Sequence, residues 1–180
     1  MLVKTFGSAV YGVEAISITI EVNWMATNTG IVLVGLPDNA VKESTLGIEA
    51  ALKNNGYRIP GKKIIVNMAP ADIRKEGSAY DLTIAVGILA ASEQIKSNKV
   101  GDYIIMGELS LDGGLQPIKG VLPIAIQAKE EKFKGIILPK QNAKDAFELI
   151  KLLVTYGANI NHQDDLYKET VLHQHDDLYI

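Results

Sequence analysis

Ser78 is the residue whose type and surroundings come nearest to covalent chemistry in this chain. The charged run Arg74-Lys75-Glu76 lies just before it, and Lys119 follows further along. A desolvated lysine can lose its proton and act as a base toward a serine hydroxyl, so Ser78 with Lys119 or Lys75 is a candidate Ser-Lys pair of a serine peptidase. The bland reading makes Ser78 a loop or cap residue and Lys119 a surface charge. A second candidate is Gly56-Tyr57-Arg58-Ile59-Pro60-Gly61-Lys62, which satisfies most of the phosphate-loop pattern. That motif needs a strand before it, a helix after it and Ser or Thr after the lysine. Here Lys63 follows, and the expected order is helix then strand. The expectation is a plain turn that binds no ATP.

The remaining side chains exclude more than they suggest. There is no cysteine, so disulfides, thiolate zinc sites and cysteine nucleophiles are ruled out. His162 and the run His173-Gln174-His175-Asp176-Asp177 offer metal-ligand types, but they read as a tail with no metal site. The formal net charge of -3 gives no chain-wide pull toward nucleic acid or an anionic membrane. Direct DNA contact would have to come from Lys62, Lys63, Arg74 and Lys75, and would collapse with salt. No run of about 18 apolar residues spans a membrane, and the N-terminus lacks signal-peptide features, so a cytoplasmic location is expected.

The elements that must position these residues follow from periodicity. Residues 2–22 read as two strands broken at Tyr11-Gly12, with Ile16, Ile18 and Ile20 alternating against polar neighbours. Asn23 to Gly30 reads as a polar connection containing Trp24, and Ile31–Val34 as an apolar strand. Asp38 is a suitable N-cap for a helix burying Val41, Ile48, Ala51 and Leu52, which stops at Gly56. Ile64–Val66 is a strand. Asp81 is expected to cap a helix that is apolar nearly all round, from Leu82 to Ala90. Tyr103–Met106 and Gly135–Leu138 are strands, Asp112-Gly113-Gly114 is a tight turn, and Val121 to Lys132 is a helix. Asn142 is placed as the cap of a last helix containing Phe147, Ile150 and Leu153. Early strands followed by interleaved helices and strands predict an α+β domain, a mixed sheet packed with helices.

Two levels of resemblance lie on top of this reading. Asn67-Met68-Ala69-Pro70-Ala71-Asp72 through Leu82, with Met106-Gly107-Glu108-Leu109-Ser110-Leu111-Asp112-Gly113 and the residues to Gly120, resembles the proteolytic domain of Lon peptidases. That likeness implies a fold of the ribosomal protein S5 domain 2 type. It sets the catalytic serine position on Ala79 and the lysine position on Leu122, so Ser78 and Lys119 are displaced by one and three residues. A displaced pair on constrained elements misses the roughly 0.5 Å tolerance of a working site. No catalytic residue and no nucleotide- or metal-binding residue is expected.

A closer resemblance covers residues 1 to about 148. Phe6-Gly7-Ser8-Ala9-Val10-Tyr11-Gly12, Val34-Gly35-Leu36-Pro37-Asp38-Asn39-Ala40-Val41-Lys42-Glu43-Ser44 and Met68-Ala69-Pro70-Ala71-Asp72 are similar to the N-terminal domain of magnesium-chelatase-like AAA+ ATPases, the YifB / competence protein ComM family. The resemblance implies a ring-forming ATPase that works on DNA in recombination or transformation. Its ATP and magnesium would belong to a separate ATPase module. This domain would be non-catalytic, with the ATPase module and neighbouring subunits as partners, DNA as a partner of the whole protein and no membrane. Asp72, Arg74, Lys75, Glu76, Glu108 and Asp112 are the partner-contact candidates; the loop carrying Arg74-Lys75-Glu76 sits where Lon-like domains place their functional end. Residues 149–180 depart from the family as an atypical tail. Leu149 to Asn161, with Thr170-Val171-Leu172-His173, resembles part of one ankyrin repeat, too little to bury its own apolar face.

Overall fold

The computed structural model describes residues 2–25, 29–96, 98–143 and 178–179. A mixed sheet forms the centre, in the order β3-β4-β2-β1-β5-β8-β9. Its strands are β1 (Val3–Tyr11), β2 (Glu14–Met25), β3 (Gly30–Val34), β4 (Lys63–Ala69), β5 (Tyr103–Ile105), β8 (Gly135–Pro139) and β9 (Leu178–Tyr179). β1 and β2 form an antiparallel hairpin, and β2 pairs antiparallel with β4. β3–β4, β1–β5 and β5–β8 are parallel, and β8–β9 is antiparallel. A separate two-stranded hairpin joins β6 (Glu108–Leu109) to β7 (Leu115–Gln116). The α+β class with a helix-packed mixed sheet stands.

Three helices, α1 (Asn39–Asn54), α2 (Asp81–Ala91) and α3 (Val121–Glu130), cover the sheet. Ile18, Ile20 and Val22 of β2 and Ile64, Val66 and Met68 of β4 alternate onto one buried face, as period 2 requires. α2 lies on that face. The Thr5 hydroxyl donates to Thr83 O at 3.1 Å, and a Cβ on Gly87 would meet Val22 at 2.7 Å, so glycine permits the close approach. Residues around the helix, including Thr83, Ile84, Gly87, Ile88, Leu89 and Ala91, are buried, as its all-round apolar sequence predicts. α3 covers the opposite face near β1, where Ser8 Oγ and Gln127 Oε1 lie 2.6 Å apart. Toward β2 and β4 that face is half-open, with Lys4 and Glu21 paired at 3.0 Å and Asn67 donating to Glu21.

Four expectations shift. β2 runs on to Met25, so Asn23 and Trp24 belong to the strand. Pairing with β4 down to Lys63 holds them there, and the Trp24 indole donates to Ala91 O at 3.1 Å. Asp81 is not the cap of α2: a single 3-10 turn, Ser78–Tyr80, leads directly into the helix and carries Asp81 into its first turn. α3 stops at Glu130, two residues early, and Lys132 is left with φ +63° beyond it. Asn142 lies inside a helical turn at 140–143 rather than at its start, and its amide exchanges two hydrogen bonds with the backbone of Ile118, at 2.8 and 2.7 Å. The helix through Phe147, Ile150 and Leu153, the boundary at 148, the ankyrin-like segment and the three histidines lie outside the described residues.

Candidate functional site

The candidate end of the molecule is built where β3 and β4, running parallel, deliver their following loops side by side. Gly35 leaves β3 with φ +95°, and a Cβ there would sit 2.0 Å from Met68 O, so only glycine lets the turn lie against β4. Asp38 then caps α1, accepting from Val41 N at 2.8 Å through one oxygen and from Gly77 N at 3.2 Å through the other. The two loops are also joined through the main chain. Asp38 N donates to Lys75 O at 3.0 Å and Lys75 N to Leu36 O at 3.4 Å.

Lys75 closes this junction from inside. It is completely buried, and its ammonium donates to Gly35 O at 2.7 Å and to Pro70 O. Burial pushes the ammonium below its ordinary value, and the Asp72 carboxylate partly offsets this. The neighbours behave differently. Arg74 and Glu76 form an exposed ion pair at 3.2 Å, and Tyr11 donates its hydroxyl to Arg74 O at 2.9 Å. Asp72 is exposed.

Among the described residues, the candidate Ser-Lys partners are not brought together at this junction. The half-buried Ser78 hydroxyl has no hydrogen bond to a lysine among the described residues, and the Lys75 ammonium is committed to two carbonyls. Ala79 is packed against the core, and its carbonyl accepts from Gly107 N at 2.9 Å. Leu122 is 51% exposed in the first turn of α3, and Lys119 is exposed just ahead of it. A serine nucleophile needs a base within hydrogen-bond reach.

The six partner-contact candidates do not form one patch. Arg74, Lys75 and Glu76 sit at the N-terminal end of α1. Asp112 sits at the other end, where its carbonyl accepts from Asn55 Nδ2 at 2.8 Å. The 16 residues of α1 separate these sites by about 24 Å. Glu108, in β6, is close enough to Asp81 to act on its charge. The four cations offered for DNA contact are also divided. Lys62 and Lys63 stand at the start of β4, Arg74 and Lys75 follow its end, and Lys75 is buried.

Asp81 is the functional-end residue that sequence reasoning missed. It is 4% exposed, one oxygen accepts from Leu109 N at 3.2 Å, and the other has no hydrogen-bond partner. Burial pushes its carboxyl up to about 6, the Leu109 hydrogen bond and the nearby Ser44 hydroxyl oppose this, and Glu108 adds to it. Its role is to fasten the β6–β7 hairpin to α2. An acid directly before an apolar helix looks like a cap in sequence, and only the preceding 3-10 turn reveals otherwise. The burial of Lys75 had no signal beyond the glycine and proline that supply its carbonyls.

Comparison with known proteins agrees with the pattern of the chain. The family described as Subunit ChlI of Mg-chelatase matches residues 20–142. YifB of Escherichia coli is 45% identical over 134 residues, 74% of this chain and 26% of that protein. Competence protein ComM of Haemophilus influenzae is 41% identical over 145 residues, 81% of this chain and 28% of that protein. More distantly, the archaeal Lon protease of Pyrococcus abyssi is 30% identical over 118 residues, 65% of this chain and 12% of that protein. The chain thus spans about a quarter of the length of the YifB and ComM relatives.

Proposed function

This chain belongs to the ChlI family of magnesium-chelatase subunits, and from that premise we propose that it is a non-catalytic module of a ring-forming AAA+ ATPase. It assists assembly of the ring or the handling of substrate, with DNA in recombination or transformation as the substrate of the whole protein. ATP and magnesium belong to the ATPase module, and the ATPase module and neighbouring subunits are its partners. Its place is the cytoplasm; among the described residues no helix is long and apolar enough to cross a membrane. Its fold is of the ribosomal protein S5 domain 2 type, a reading supported by the likeness to an archaeal Lon protease.

One observation carries the proposal. Ala79 and Leu122 occupy the positions where the Lon resemblance requires the reacting serine and lysine, and among the described residues Ser78 has no hydrogen bond to a lysine. What remains is the paired-loop surface at the start of α1, hydrogen-bonded across its two loops and charged. There Arg74, Glu76 and Asp72 are exposed while Lys75 holds the backbone from beneath.

The test adds this chain to a separately prepared ATPase module of the family. The chain alone turns over neither ATP nor a peptide, and its addition changes the turnover or assembly of the module. Reversing Arg74 and Glu76 together, as Arg74→Glu/Glu76→Arg, keeps their pairing and weakens that effect. Independent ATP hydrolysis by the chain would overturn the proposal.

A further inference from the structure

The outer edge of β3 has no strand beside it among the described residues. β3 ends the strand order and pairs only with β4. In a strand the backbone donors and acceptors alternate between the two sides, so those facing away from β4 have no partner in the sheet. Exposed edges are usually guarded by a charge, a proline or a bulge. Gly30-Ile31-Val32-Leu33-Val34 has no charged residue and no proline, and its five pairs with β4 run in unbroken register. Val32 and Val34 are 39% and 41% exposed on the half-open face.

Charge is polarised along this edge. Gly30 is in register with Lys63, which follows Lys62, so the first end is basic. Beyond Val34, at the second end, lie Asp38, Asp72 and Glu76 with Arg74 and Lys75, three carboxylates against two cations. An antiparallel neighbour with the same polarity would set its acidic end beside the basic end of β3, and its basic end beside the acidic one.

We propose that β3 is a self-association edge: a second copy of this chain adds its own β3 antiparallel, across a two-fold axis at Val32. Gly30 then opposes Val34, Ile31 opposes Leu33, and the two sheets continue into one another. An isologous contact sets each group on the axis against itself, and uncharged Val32 meets this condition without repulsion. Both pairs of ends become electrostatically complementary. Five residues span only about 16 Å, so the contact is small and the dimer depends on concentration, with affinity in the micromolar range or weaker. This contact goes beyond the motor-associated role and does not rest on it.

Sedimentation of the full 180-residue chain over a concentration series tests the proposal. The wild type moves from monomer to dimer, and Val32→Lys raises the dimer dissociation constant at least about tenfold while keeping the wild-type circular dichroism spectrum. Because the chain has no cysteine, Val32→Cys supplies a second readout that tolerates failure of the lysine variant to fold. Opposed Cβ atoms in an antiparallel pair lie about 4.5–5.5 Å apart, so mild oxidation yields a covalent dimer. Val13→Cys, equally free to react at an 88% exposed site, does not. A chain monomeric at every concentration would overturn the proposal, as would equal cross-linking at both positions. So would a dimer indifferent to Val32→Lys, or a monomer that takes up unrelated extended peptides at this edge.

Discussion

The Lys75 ammonium donates to Gly35 O at 2.7 Å, so a side chain from the loop after β4 holds the turn after β3. The same ammonium reaches Pro70 O, and the main chain of Lys75 pairs with Leu36 and Asp38 on either side. A long cationic side chain thus acts as an internal brace. Replacing it with methionine keeps the packing volume and leaves two carbonyls without their donor. Lys75→Met is expected to lower stability by about 1–3 kcal/mol in urea unfolding. An unchanged midpoint and slope would mean that the two loops hold each other without the lysine.

Gly35 sets the other half of the junction. With φ +95° and Met68 O only 2.0 Å from the place of a Cβ, alanine there must push β3 and β4 apart or move the turn. Gly35→Ala should destabilise by at least about 3 kcal/mol, among the larger effects of a single methyl group. Gly61→Ala, at an open position, should be close to neutral by the same unfolding measurement.

Asp81 makes stability depend on pH. Its carboxyl titrates near 6 in the folded chain against an ordinary value of 3.8, so the folded state holds the proton more tightly than the unfolded state. The resulting stabilisation is complete below about 3.8 and is lost as pH rises through about 6. Its full size is on the order of 3 kcal/mol. Asp81→Asn cannot ionise and keeps an oxygen for Leu109 N. It should therefore gain stability relative to wild type between pH 5 and pH 8, measured by urea unfolding at both. A difference between the two proteins that does not move with pH would contradict this assignment.

Asn142 bonds both backbone groups of Ile118 while 3% exposed. Asn142→Ala strands a buried donor and acceptor together and should cost about 2–4 kcal/mol. Hydrogen exchange at the Ile118 amide should rise in the same variant. If protection there were unchanged, another group would be holding that loop.

Local chemistry made much of the architecture legible. Asp38 could be read as a cap because its oxygen type, its place before an amphipathic helix and the Gly35 turn all agree. The all-round apolar pattern of α2 announced a buried helix, and the alternation of Ile18 and Ile20 announced a one-sided strand. Burial that depends on remote elements was not legible. Arg74-Lys75-Glu76 looks like one solvated run, yet the bridge between Pro37 and Lys75 turns the middle residue inward while its neighbours stay outside. Asp81 and Asn142 sit where caps belong in sequence, and both are used instead to hold backbone from another part of the chain. Trp24 reads as part of a connection because its polar neighbour Asn23 hides a strand that only pairing with β4 extends. At the functional end, the Lon resemblance assigned Ala79 and Leu122, whereas the separation of the contact candidates to opposite ends of α1 needed three dimensions.

On the proposed non-catalytic reading, Ala79 leaves a methyl group where attack would require an oxygen, and Ser78 does not replace it. Reaction of the folded chain with a fluorophosphonate probe, followed by mass analysis of the peptide containing Ser78, tests this most directly. The expected outcome is no labelling in wild type and none in Ser78→Ala. Stoichiometric labelling of Ser78 that disappears in Ser78→Ala, and falls when Lys75 or Lys119 is replaced, would contradict it.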